Sequence, residues 1–140
     1  MIILEINNQT KFRAPKKQLN DLLSLAQKLL KINKKQLISL ALVSDYQIKK
    51  LNRIYRKKDK ATDVLSFCGE PSAELPEEPL GEIIISPSRA KRQAENGLTD
   101  ELARLALHGY LHLLGYDHEK ETEAEKMEAL EKKILKLFYD

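Results

Sequence analysis

Apolar residues recur along this chain first at every second position and then at every third or fourth. Met1 to Asn7 alternates as a strand does. Ala14 to Lys31 then sets Leu19, Leu22, Leu23, Leu25, Ala26, Leu29 and Leu30 at helical spacing, with Pro15 suited to the first turn. Leu37 to Val43 is a nearly continuous apolar run of strand length, and Ser44 with Gln47 forms a capping box that opens a helix from Asp45 to about Tyr55. Thr62 to Phe67, a β-branched and aromatic mix, and Gly81 to Ile85 read as two further strands.

The polar punctuation agrees with this reading. Lys57 to Lys60 is a turn, and Gly69 to Leu80, rich in Pro and Glu without periodicity, is expected to be an exposed, mobile loop. Ser86 as N-cap, Pro87 in the first turn and Gly97 at the far end frame a short helix. Thr99 is expected to cap a helix from Asp100 to Leu114, which Gly115 can stop in a left-handed conformation. A last amphipathic helix runs from Glu121 to about Phe138, with Met127, Leu130, Ile134 and Leu137 on its core face. The order predicts an α+β fold: one compact domain over residues 1–140, its four-stranded mixed sheet covered by helices.

At 140 residues about two thirds of the unfolded surface can be buried, enough for a core without disulfides or structural metals. The sequence contains no long apolar run and its N-terminus lacks the layout of a secretory signal, so a cytoplasmic protein without a membrane span is expected. The single cysteine, Cys68, cannot form an internal disulfide, and a buried structural thiol is its expected role. Net charge is +3, but residues 1–60 carry 15 Lys/Arg against 4 Asp/Glu and residues 61–140 carry 9 against 17. A basic half of that kind can attract a polyanion by displacing the counterions condensed on a phosphate backbone.

All three histidines lie in His108-Gly-Tyr-Leu-His112-Leu-Leu-Gly-Tyr-Asp-His118. Residues four apart on a helix project from one face, so His108 and His112 can share a metal ion, and a reversal at Gly115 can return His118 as a third ligand. Three neutral imidazoles leave a coordination position open and the ion's charge uncompensated, the condition under which zinc brings the pKa of water to ~7. The same ligands also suit nickel, copper or cobalt. The spacing matches the HExxHxxGxxH signature of metzincin proteases, except that Gly109 stands where the general-base glutamate would be.

Together HGYLHLLGYDH, YRKKDKATDVLSF and LGEIIIS, within residues 40 to 120, resemble the YbeY family of bacterial endoribonucleases. The resemblance implies a compact α+β domain with zinc on His108, His112 and His118. It also implies single-strand-specific RNA cleavage, maturation of ribosomal RNA at the small-subunit 3′ end, a part in ribosome quality control, and contact with ribosomal components. The family's functional arginine corresponds to Arg56, whose planar guanidinium could hold a scissile phosphate and stabilise its developing charge.

The chain departs from the commoner family pattern at Ala61 and Cys68, where proline is usual. This could bring Cys68 near the metal as a redox-sensitive thiol, outside the ligand set. Asp117 could orient a ligand histidine or cap the turn, Ser86 is expected to be a cap, and Tyr110 and Tyr116 could stack on bases or pack. Two rival functions are carried forward: a metzincin-like zinc peptidase, and a non-catalytic RNA-binding ribosome-assembly factor.

Overall fold

The alternation at the N-terminus and the stripes that follow it become β1 (Ile2–Asn8), α1 (Lys16–Leu29), β2 (Gln36–Leu42) and α2 (Asp45–Arg56). They are followed by β3 (Val64–Cys68), β4 (Pro79–Ile85), α3 (Pro87–Gln93), α4 (Leu98–Leu113) and α5 (Glu121–Tyr139). The structure, a computed structural model, describes residues 1–57, 62–69, 79–116 and 120–140. The turn at Lys57 to Lys60, apart from Lys57 itself, and most of the Gly69 to Leu80 loop lie outside the described residues, as do Ala61, Asp117 and His118.

The sheet runs in the order β1-β2-β4-β3, with β1, β2 and β4 parallel and β3 antiparallel on the edge. Connection length accounts for the mixture. β1 and β2 are bridged by α1, and β2 and β4 by α2 with β3, whereas consecutive β3 and β4 run back on one another. This is the α+β class and mixed four-stranded sheet expected from the pattern.

Alternation along the strands sends Ile2, Leu4, Ile38, Leu40, Leu42, Ile83 and Ile85 into the main core, where α1 and α4 pack on the sheet and α5 packs against those two helices. On α1, Leu19, Leu22, Leu23 and Ala26 are completely buried. Each such leucine contributes about 1.5–3 kcal/mol relative to exposure. A smaller cluster of Ala41, Val43, Ile48, Leu65 and Ile84 includes one residue of α2 and residues of β3 and β4 that alternate with the main-core positions.

Four local expectations change. α4 begins at Leu98 rather than behind a Thr99 cap, because Leu98 packs against the core and draws the helix start earlier. Gly97, at φ +96°, is its N-cap rather than the end of α3, which stops at Gln93 with Ala94 extended. β4 starts at Pro79, so the loop is shorter than Gly69 to Leu80. Met127 and Ile134 of α5 are buried as expected, but Leu137, one turn from the chain's end, is half exposed.

Candidate functional site

α4 is buried along most of its circumference, and its partly open seam is polar: Glu101, Arg104, His108 and His112 follow one another along it. The two imidazoles project from one face as the four-residue spacing requires, Nε2 to Nε2 at 3.2 Å. Two zinc–nitrogen bonds of about 2.0–2.1 Å at a tetrahedral angle would set ligand nitrogens roughly 3.3 Å apart, so this pair has the separation that one ion demands.

Glu131 of α5 settles which nitrogen is available. Its Oε2 lies 3.2 Å from His108 Nδ1, and its Oε1 lies 3.5 Å from Arg104 Nη1. An ionised carboxylate only accepts, so Nδ1 carries the proton and Nε2 keeps its lone pair toward His112. A buried carboxylate behind a histidine is the usual support of a metal-binding imidazole. Arg104 is held in turn by Glu101, with Nε and Nη2 on the two carboxylate oxygens at 2.8 and 2.9 Å. That fork raises the arginine's pKa and lowers the glutamate's below the usual carboxylate range.

The amphipathic pattern of α5 singles out its apolar positions and passes over Glu131. The signal was there: it falls one turn after Met127 and three residues before Ile134, on the core face of α5, where a charge needs a partner.

Gly115 ends α4 at φ +101°. Its N–H donates to His112 O and that of Tyr116 to Leu111 O, the paired bonds of a Schellman turn. The left-handed stop expected at Gly115 is therefore present. Among the described residues no set of three His, Cys, Asp or Glu gathers around one point, and the third predicted ligand, His118, lies outside them, as does Asp117.

Gly109 explains how α4 can lie so close to the sheet. A Cβ there would stand 2.8 Å from Ile83 Cγ2 and 3.1 Å from Ser66 Oγ, and Ser66 and Ile83 are register partners across β3 and β4. Position 109 thus faces the sheet while positions 108 and 112 face the cleft. Ser66 also ties in α2: its carbonyl accepts from Arg56 Nη2 at 2.8 Å, and its hydroxyl donates to Gly109 O at 3.4 Å. The Arg56 guanidinium carbon lies 5.6 Å from the centre of the Phe67 ring, within cation–π range.

Arg56, His108 and His112 consequently line one cleft of about 460 Å³, together with Asn52, Asp63, Ser66 and Cys68. The structure brings together a cation and an imidazole pair that are 52 residues or more apart in the chain. Cys68 is exposed on this cleft rather than buried in the core, contrary to the structural role expected of it, because it ends the edge strand β3.

Other candidates resolve as structure. Ser86 is fully buried and caps α3 through Arg89 N–H, while its hydroxyl donates to Asp45. Tyr110 is fully buried, its hydroxyl donating to Gln36 Oε1 at 2.6 Å, and burial raises its pKa. It packs and cannot stack on a base.

No helix among the described residues is long and apolar enough to cross a membrane. Residues 4–139 match the family described as Endoribonuclease YbeY. Relatives named Endoribonuclease YbeY include one from Limosilactobacillus reuteri, 41% identical with 94% of each chain covered, and one from Nautilia profundicola, 43% identical with 96% of this chain and 90% of the relative covered. A third, from Myxococcus xanthus, is 51% identical over 70% of this chain, which spans only 35% of that relative's length. Among solved structures, the solution structure of a Thermotoga maritima protein is 30% identical, with a TM-score of 0.61 over 98% of this chain and 89% of that one. With its fold, its helix histidines and matches of this extent in agreement, the chain belongs to the Endoribonuclease YbeY family.

Proposed function

We propose that the protein is a metal-dependent endoribonuclease that cuts single-stranded RNA, acting in the cytoplasm on ribosomal RNA at the small-subunit 3′ end and in ribosome quality control. The observation that carries this reading is the convergence of Arg56 with His108 and His112 on one cleft. The name that the relatives bear supplies the substrate class.

In this reading His108, His112 and His118 hold one zinc ion, with Glu131 fixing the His108 tautomer. Bound there, zinc supplies the Lewis acidity that makes water or a phosphoryl oxygen reactive near neutral pH. Arg56 receives the scissile phosphate. Its Nη2 is anchored on Ser66 O, which orients the fork, and its remaining donors can address two phosphate oxygens. Negative charge that grows on those oxygens during cleavage is met by a guanidinium already in place, so no reorganisation is needed at that moment.

The peptidase alternative loses its base for a structural reason. A glutamate at position 109 would collide at its Cβ with Ile83 and Ser66. The assembly-factor alternative predicts RNA bound and left intact.

The test is cleavage of a labelled single-stranded RNA by metal-loaded protein beside Arg56→Ala and His112→Ala, with casein as a parallel substrate. Loss of RNA cleavage by about 10²-fold or more in both variants, with casein untouched, supports the nuclease. RNA bound but uncut by metal-loaded wild type favours the assembly factor, and casein cleavage that survives Arg56→Ala favours the peptidase.

A further inference from the structure

The basic half of the chain has a definite geometry on α2. Tyr46 lies three and four residues before Lys49 and Lys50, these lie four and three before Arg53, and Arg53 lies four before Lys57, so the five form one stripe about 16 Å long on the helix and the residue that ends it. All five are exposed, Tyr46 at 79%, and Tyr46, Lys49, Lys50 and Arg53 surround a shallow depression. Among the described residues none of the four cations forms a salt bridge, whereas Lys17 and Lys132 elsewhere do.

The helix's one acid, Asp45, is already engaged: it accepts from Ser86 and from Arg92 Nη2 at 2.6 Å. Burial opposes its ionisation, but those two hydrogen bonds outweigh it and hold its pKa below the usual carboxylate range. The stripe's positive charge is therefore not cancelled from within the helix. One side of the same helix carries Asn52 and Arg56 into the histidine cleft, and Arg56 lies three residues after Arg53 and next to Lys57, so the end of the stripe adjoins the site.

We infer that the outer face of α2 is a binding track for the single-stranded RNA segment flanking the cleavage point, with Lys49, Lys50, Arg53 and Lys57 on phosphates and Tyr46 stacking on a base. This rests on the reading of the protein as a ribonuclease and adds where the substrate lies. Exposed cations at this spacing match a phosphate backbone, and a fully presented tyrosine ring beside them offers the sequence-tolerant stacking platform that single strands use. An acidic protein partner would share the charge complementarity but would leave RNA affinity independent of these residues.

The experiment measures binding of a fluorescent, 2′-O-methylated single-stranded oligomer to the full chain by anisotropy across a salt series. It compares wild type with the Lys49→Ala/Lys50→Ala/Arg53→Ala triple variant, with Tyr46→Ala, and with Lys132→Ala/Lys133→Ala on α5 as control. The expected result is an affinity at least tenfold weaker in the triple variant, with a log–log salt slope shallower by about 2, since each single-strand phosphate contact contributes about 0.7. Tyr46→Ala should weaken binding at least fivefold with the slope preserved, and the control should match wild type.

Wild-type affinity and slope in the triple variant, equal weakening in the control, or absence of wild-type binding would overturn the track. Cleavage assayed in parallel on the unmodified oligomer separates the two readings. Oligomer bound through α2 but left uncut upholds the track and overturns the nuclease.

Discussion

His108 and Glu131 meet across α4 and α5, Nδ1 to Oε2 at 3.2 Å, and this contact decides which nitrogen the first helix histidine offers to the cleft. Glu131→Gln keeps the shape but can present an amide N–H₂ to Nδ1 as readily as a carbonyl, so the tautomer is no longer fixed. The expected outcome is a 10–100-fold weaker affinity for zinc. Competition against a chromophoric chelator reads this directly, without any RNA. Unchanged affinity would mean that the carboxylate only fills space.

Gly109 separates packing from chemistry. Because its added Cβ would meet Ile83 Cγ2 at 2.8 Å, Gly109→Ala must push α4 from the sheet or displace Ile83. The expected cost is about 1–3 kcal/mol in urea unfolding, the usual range for overpacking. Cleavage should fall along with it, because α4 carries both histidines and Ser66 links it to Arg56. A fully stable Gly109→Ala with wild-type activity would show that the close approach is not required.

Much of this arrangement was legible in the chain. The 3.6-residue stripes of α1 and α5, the Ser44 and Ser86 caps and the Gly115 stop are encoded within one or two turns, and local patterning found them. Glu131 and Cys68 were not legible in the same way. Glu131 is paired with a histidine 23 residues away, and Cys68 owes its exposure to ending an edge strand. Gly109 was visible as a missing glutamate, but the collision that requires glycine there comes from β3 and β4. The Gly97 misplacement has a local cause: a glycine between two helices can end one or begin the next, and only Leu98's packing decides.

Asp45 gives the fold an acid-sensitive clasp between α2 and α3. Its pKa lies below the ordinary value: burial opposes ionisation, but the bonds from Ser86 and Arg92 prevail. A carboxyl with a depressed folded pKa adds stability that is present above the unfolded pKa and is lost as pH falls through the folded one. Asp45→Asn should therefore cost less than about 1 kcal/mol at neutral pH, since the pair with Arg92 is partly exposed, and should flatten the loss of stability below about pH 4. Thermal unfolding from pH 7 to pH 3 checks it. A variant with an acid limb as steep as wild type would contradict the assignment.

The central claim, that RNA cleavage depends on one ion held by the histidines of α4 and the turn after it, is tested most directly by titrating zinc into chelated protein while following cleavage of single-stranded RNA. The expected result is no cleavage at the start, a linear rise, and a plateau at one ion per chain that His112→Ala does not reach. Full cleavage by the chelated protein, or a plateau that His112→Ala shares, would contradict it.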